Sequence, residues 1–369
     1  MTGFVQSIIT ILLFIFILGA LVVIHELGHF VTARLSNVRV LEFGVGFPPR
    51  AKVLRSKGET VYTLNWLPIG GFVKLEGEDG DEAGDPRSFS AQSLPRRLLI
   101  LIAGVAMNVL LAFVIFTGIA LFADPAIGLK VGAVQPGSPA AAAGIVASDT
   151  IVSLNGDPHA AFDKKSPIAN LREHAGETVT LGILAADGTL TDVQATLRPV
   201  SQIDADHGAL GISEPQAVVL ADPIRYDLPE ALQIGVQRTI DALGLIVGGL
   251  ATLVESIATR PTEAPPVSGP VGIATQLGDV FWQLGPIFTL YVAGVLSANL
   301  AVVNILPFPP LDGGRMLMIT LKRVFGRRIS LRAEQLTYVV GFVFLFAFII
   351  WVTGYDIVRS LSGGAAGAP

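Results

Sequence analysis

The chain has 369 residues, 51% of them hydrophobic and 15% charged, with no cysteine and a formal net charge of -5 at pH 7. Its mean hydropathy of +0.62 is too apolar for an ordinary soluble protein and fits an integral membrane protein carrying some soluble mass. The acidic balance argues against a nucleic-acid partner, and the lack of cysteine excludes disulfides and leaves His and carboxylates as ligands for any zinc.

The first apolar run, from about Val5 to Ile24, is long enough to cross a bilayer. It lacks a basic leading segment and a small-residue cleavage site, so it reads as a retained transmembrane helix and not a signal peptide. It continues directly into Val22-Val-Ile-His25-Glu26-Leu-Gly-His29-Phe30. Histidines four residues apart lie one turn apart on one helix face, so both imidazoles can reach one Zn²⁺. Glu26, beside the first ligand, is placed to act as general base on the water that such a metal activates, as in an H-E-x-x-H hydrolase. Ionisable groups at membrane depth are expensive to keep and mark function.

From Arg34 to Arg97 the chain turns polar, with short β-leaning runs at Arg39 to Phe47, Ala51 to Leu54, Thr60 to Trp66 and Gly71 to Leu75. Pro48-Pro49, Lys57-Gly58 and Pro68-Ile-Gly70-Gly71 separate them, which predicts a small membrane-associated sheet with tight turns. The acidic run Glu76 to Asp85 reads as a solvated loop. A second apolar run, Leu98 to Phe122, is a transmembrane helix whose strongly polar group is Asn108. A buried Asn in a membrane either joins helices or points into a site.

After Asp124 the composition becomes that of a soluble domain, with strands at Lys130 to Val134, Thr150 to Leu154, Thr178 to Leu184 and Asp192 to Leu197. The segment Val134-Gln-Pro-Gly-Ser-Pro-Ala-Ala-Ala-Ala-Gly144, followed by Asp149-Thr-Ile-Val-Ser-Leu-Asn-Gly156, resembles the bacterial PDZ domain. That resemblance implies a site where an extended peptide adds to a sheet edge beside a helix. His159, His174 and His207 read as solvated surface residues, not a second metal site. Ser201 to Pro229 reads as an irregular linker. Ala231 to Ala258 carries charges at both ends and a Gly-rich centre, which favours a helix lying in the membrane interface over a further span. Ile287 to Leu306 and Leu336 to Val352 are the last spans, and Ser362 to Pro369 reads as a disordered tail.

The third zinc ligand is sought at the depth of His25 and His29. Asp312 meets that condition, in Asn304-Ile-Leu-Pro307-Phe-Pro309-Pro310-Leu-Asp312-Gly313-Gly314 at the end of an apolar helix; Glu42 and Glu76 are the next candidates. The prolines free backbone groups that only a protein-lined cavity tolerates. With both motifs in place, the chain resembles the site-2 protease family of intramembrane zinc metalloproteases, most closely the bacterial branch that cleaves anti-sigma factors. The resemblance rests on His25-Glu26-Leu-Gly-His29 and on Asn304, Pro307, Pro309, Asp312 and Gly313, and it covers nearly the whole chain. It implies zinc held by His25, His29 and Asp312, water activated by Glu26, and Asn304 close to the scissile bond. Gly71, Phe72, Val73, Lys74 and Asn108 are expected to face substrate, the first four as an exposed strand that pairs with an unwound peptide. Two features depart from relatives: Ala103-Gly-Val105-Ala-Met-Asn108 stands where A-G-P-x-x-N is frequent, and there is one PDZ-like domain where some relatives carry two.

The expected architecture is an α-helical integral membrane protein with four transmembrane helices, a membrane-associated β-sheet loop and an inserted α+β PDZ-like domain. Its segments are 1–35 (first helix), 36–95 (β-loop), 96–123 (second helix), 124–200 (PDZ-like domain), 201–280 (linker and interfacial helix), 281–321 (third helix) and 322–369 (loop, fourth helix and tail). Lys322, Arg323, Arg327, Arg328 and Arg332 crowd one connection, and Arg34, Arg39, Arg50, Lys52, Arg55, Lys57, Arg96 and Arg97 the other. Basic loops stay cytoplasmic, so the PDZ-like domain is expected on the extracytoplasmic side of a bacterial inner membrane. The expected partners are the lipid bilayer, an extended peptide at the PDZ-like domain, and a pre-clipped single-span substrate such as an anti-sigma factor or remnant signal peptide. The competing expectation is a silent, peptide-capturing scaffold; intact Glu26 and the three ligands weigh against it.

Overall fold

The computed structural model describes residues 3–78, 85–204, 207–260, 263–326 and 331–361. The middle of the acidic run, Arg327 and Arg328 of the second basic loop, and the tail from Ser362 lie outside the described residues. The chain divides into two units, Met1–Thr117 with Gln233–Pro369, and Gly118–Leu232.

In the first unit, α1 (Gly3–Leu35) runs unbroken because no proline or polar cluster interrupts the apolar segment. Its buried residues Leu21, His25, Gly28, His29 and Ala33 recur at three- and four-residue spacings, the signature of a single buried stripe. Phe4, Ile11, Leu12 and Phe16 point outward, as suits a helix surrounded by lipid.

Strands β1 (Val40–Arg55) and β2 (Val61–Leu75) pair antiparallel, and β2 doubles back. Residues 42–45 of β1 pair with 61–64 on one side and with 71–74 on the other. Gly70, at φ +90°, lets β2 turn round the end of β1 in a conformation other residues rarely adopt. The segments therefore lie in the order 50–55, 61–67, 40–47, 71–75, and the last is an edge.

The helix α2 (Leu94–Phe122) crosses α1 closely: a Cβ on Gly28 would lie 2.3 Å from the Ala103 carbonyl oxygen. Ala33, Val38, Val40, Leu75, Phe89, Ile100, Leu101 and Ile319 form the apolar cluster that joins these helices and strands to α8 (Asp312–Phe325). The rest of the unit comprises α5 (Leu228–Thr259), α6 (Pro270–Gln283), α7 (Pro286–Ile305) and α9 (Leu331–Leu361). Small residues at Ala112 and Ala298 let α2, α7 and α5 meet around Phe116, with Ala242 from α5. Among the described residues, α1, α2, α5, α7 and α9 are long and apolar enough to cross a membrane. The sequence reading gave four such helices and set α5 aside; length and composition admit it as well.

The second unit holds a six-stranded sheet with β3 (Ala126–Lys130), β5 (Thr150–Leu154), β6 (Asp157–Ala160), β7 (Thr178–Leu184), β8 (Leu190–Thr196) and β10 (Gln216–Val219). Its order is β10-β3-β6-β5-β7-β8, and β4 (Ala133–Val134) pairs separately with β9 (Ile212–Ser213). Asn155 and Gly156, at φ 53° and 88°, make the tight hairpin between β5 and β6, where both positions need positive φ. Ser138 and Ser166 cap the N-termini of α3 (Pro139–Ala142) and α4 (Pro167–Glu173), each followed by proline.

Two expectations are corrected here. Residues 201–229 are not simply a linker, because β9 and β10 satisfy backbone groups on β4 and β3. His174 and His207 are surface residues paired with Glu177 (2.7 Å) and Asp204 (2.9 Å), but His159 is buried. It sits on β6, an interior strand, and burial holds its pKa below the ordinary histidine value.

Candidate metal centre and active site

Helical periodicity puts His25 and His29 on the buried face of α1, and the turn after α7 brings Asp312 to them from the start of α8. The path of that turn depends on small residues. A Cβ on Gly313 would lie 2.1 Å from the Ile305 carbonyl oxygen, and one on Gly314 would lie 2.5 Å from Phe308. His25 Nε2 and His29 Nε2 are 3.1 Å apart, and Asp312 Oδ2 lies 3.0 Å from the first and 3.2 Å from the second. His25, His29 and Asp312 are the group of possible metal ligands among the described residues. Glu42 is engaged by Arg50 and Thr63, and Glu76 by Arg39, and neither belongs to that group.

The tautomers follow from the outer contacts. His29 Nδ1 donates to the Ile100 carbonyl at 2.8 Å, since a carbonyl can only accept, and this leaves Nε2 bare. Asn108, wholly buried on α2, has its side-chain Nδ2 3.3 Å from His25 Nδ1, while its Oδ1 has no hydrogen-bond partner among the described residues. With the amide turned so that Oδ1 faces the ring, His25 Nδ1 donates to it, and the second Nε2 is bare too. Two nitrogen lone pairs and a carboxylate oxygen then converge, an arrangement that repels itself unless a cation lies among them. A tetrahedral zinc with ligands at about 2.0–2.1 Å spaces them about 3.3 Å apart, so the donor set fits zinc in type and spacing.

These groups line a cavity of about 410 Å³ together with Glu26, Gly71, Phe72, Val73, Asn108 and Asn304. Lys74 does not line it and is exposed. Asn108, read from sequence as facing substrate, lines this cavity and also lies against His25. Gly71 keeps the strand close to α1: a Cβ there would meet the Gly44 carbonyl oxygen at 3.0 Å and Glu26 Cγ at 3.7 Å.

Sequence reasoning missed three contributors. Gly104 on α2 leaves space for both imidazoles, since a Cβ there would lie 2.4 Å from His29 Nε2 and 2.7 Å from His25 Cε1. Its signal was present in Ala103-Gly-Val-Ala-Met-Asn108, read only for its asparagine. Arg315 lines the cavity one turn beyond Asp312 and pairs with Glu78, which also lines it. Glu76 is buried and Glu78 partly so, which corrects the reading of that end of the acidic run as solvated; their positive partners Arg39 and Arg315 are distant in sequence. Gly104→Ala is expected to lower zinc affinity about 10–100-fold while the protein stays folded, as loss of outer-shell support does elsewhere. Zinc titration against a chelator of known affinity checks this, and parent-like affinity would contradict it.

Comparison with known proteins agrees with this geometry. The sequence profile of peptidase family M50 matches residues 13–348. A chain of Clostridium acetobutylicum assigned as a zinc metalloprotease is 34% identical over 360 residues, covering 97% of this chain and 100% of the relative. A Brucella suis chain assigned likewise is 29% identical over 367 residues, covering 94% and 95%. Zinc metalloprotease RasP of Geobacillus kaustophilus is 28% identical over 435 residues, covering 96% and 99%. With a profile that spans most of its length and a relative above 30% identity along nearly all of it, the chain belongs to peptidase family M50 and is a zinc metalloprotease.

Proposed function

We propose that this metalloprotease cleaves single-span membrane proteins, at a bond drawn out of a transmembrane helix and held as an added strand on the edge of β2. The observation that carries this reading is the shared cavity, in which the edge at Gly71 to Val73 faces the same space as Glu26, His25, His29 and Asp312. A helical substrate hides its carbonyls in its own hydrogen bonds; pairing with a strand edge replaces those bonds as they break. His25, His29 and Asp312 would hold zinc, which would supply polarisation of a carbonyl and activation of water. Glu26 is the proton carrier, taking the proton of the attacking water and passing it to the leaving amine. Asn304, on the cavity wall, donates to the oxygen on which charge develops.

The resemblance to the anti-sigma-factor-cleaving branch supports a pre-clipped substrate in regulated intramembrane proteolysis at a bacterial inner membrane. A PDZ-like role for the unit Gly118–Leu232 is supported by a cavity of about 490 Å³ whose lining includes Ile168 and Leu171 of α4, Leu210 and Ile212. Such a groove suits an extended peptide and would screen substrates, on the extracytoplasmic side by the distribution of basic loops.

Four spans are supported by chain direction. Ile100 and Asn108 of α2 meet the histidines near the end of α1, so α2 runs back toward the start of α1. Trp282, just ahead of α7, donates to Thr10 near that start, and Asp312, just after α7, lies at the histidines. The end of α2 and the start of α7 therefore share a side, and the segment between them crosses an even number of times. α6, with 14 residues, spans only about 21 Å, short of the roughly 30 Å needed. A crossing by α5 would have no return, which supports an α5 that lies along the interface. Because the chain has no cysteine, single cysteines at Asp227 and Ser268 test this. Both are expected to react with an impermeant maleimide from the same membrane face, and labelling from opposite faces contradicts four spans.

Substrate presentation is tested at Val73. Val73→Pro removes a backbone donor and fixes φ, whereas Val73→Ala keeps the backbone. The proline variant is expected to lose about tenfold or more in cleavage rate with zinc retained, and the alanine variant much less. Equal rates for the two would end the strand-addition reading; zinc loss in the proline variant would mark the strand as purely structural.

A further inference from the structure

Glu76 N–H bonds inward to the Arg39 carbonyl at 3.0 Å, on the β1 side of the strand. Donors alternate along a strand, so the Leu75 N–H points outward, and Glu78 Oε2 takes it at 3.2 Å. The same alternation aims the Val73 and Gly71 N–H groups outward, into the edge that faces the cavity. Glu78 therefore fills one slot of the free edge and leaves the preceding ones open. It is swung back onto its own strand by a turn that needs Gly77, at φ +69°, where a Cβ would lie 2.0 Å from Ser88 Oγ. Its second oxygen accepts from Arg315, three residues after Asp312 on α8 and so on the same helix face.

We propose that the Glu78–Arg315 pair is a register stop: it closes the substrate-pairing edge at Leu75 and ties that end to the helix bearing Asp312, so that one peptide bond of the added strand is set against the metal centre. The proposal deepens the strand-addition reading and rests on it. Glu78 and Arg315 are positioning residues here. A carboxylate that caps a backbone donor repels an incoming carbonyl, and the ion pair with Arg315 holds that carboxylate in place. Without the cap, a peptide can pair one slot further along. Side chains in a strand repeat every two residues, so the neighbouring register that keeps the same face toward the metal is displaced by two residues.

The test uses the full-length protein in detergent or vesicles with a single-span model substrate, and maps products by mass spectrometry beside zinc content. The parent is expected to cut mainly one bond. Glu78→Ala and Arg315→Gln are each expected to keep zinc, to cut additionally two residues away, and to lower the rate at the parent bond about tenfold. The double variant is expected to be no worse than Glu78→Ala alone, as for residues that act through one another. An unmoved single cut in both variants overturns the proposal. So does a slower Arg315→Gln with an unmoved cut beside a parent-like Glu78→Ala, which would make Arg315 a direct catalytic group. Val73→Pro separates the layers: if it leaves the rate unchanged, strand addition falls and the register stop with it. If it slows cleavage while Glu78→Ala leaves the cut unmoved, the register stop falls alone.

Discussion

Two imidazole nitrogens and a carboxylate oxygen held 3.0–3.2 Å apart form a donor set that suits a cation, and much of the first unit can be understood as what is needed to bring them together. His29 is locked by the Ile100 carbonyl and His25 by Asn108, so both rings present the same nitrogen. Gly28 and Gly104 let α1 and α2 approach closely enough for those contacts, and Gly313 and Gly314 let the chain turn sharply into Asp312. Replacing any of these glycines would bring a Cβ against backbone or against an imidazole. The small residues matter to this candidate metal centre as much as the three donor side chains do.

On the proposed reading, the sheet extends this centre toward its substrate. β2 doubles back so that its last residues form an edge on the cavity that Glu26 also lines, and use of that edge for pairing accounts for one that elsewhere would invite aggregation. Breaking helical hydrogen bonds in a low-dielectric setting is expensive unless each broken bond is replaced at once. A strand edge offers that replacement in a fixed geometry, and its end at Leu75 is held by Glu78.

Much of the candidate metal centre was legible because it is written in local periodicity: the four-residue step of His25 and His29 needs only the helix, and Asp312 stands where an apolar helix ends. The candidate strand was legible in Gly70-Gly71 and the alternation after it. What escaped lies in contacts between segments distant in sequence. Gly104 matters because of rings on another helix, and the importance of Glu78 comes from Arg315, 237 residues away. A linear acidic run looks solvated until cations from elsewhere in the chain are brought to it. Residues 201–229 looked like linker because β9 and β10 are short and their partners lie earlier in the chain. His159 looked exposed because its polar neighbours in sequence hide that its strand is interior.

The central claim is that Glu26 serves as the proton carrier beside a zinc held by His25, His29 and Asp312, and is not itself a ligand. Zinc stoichiometry and turnover measured together on purified Glu26→Gln test it most directly. The account predicts zinc close to one per chain, as in the parent, with cleavage of a membrane-spanning substrate abolished. Retained turnover, or loss of the zinc along with the activity, would contradict it.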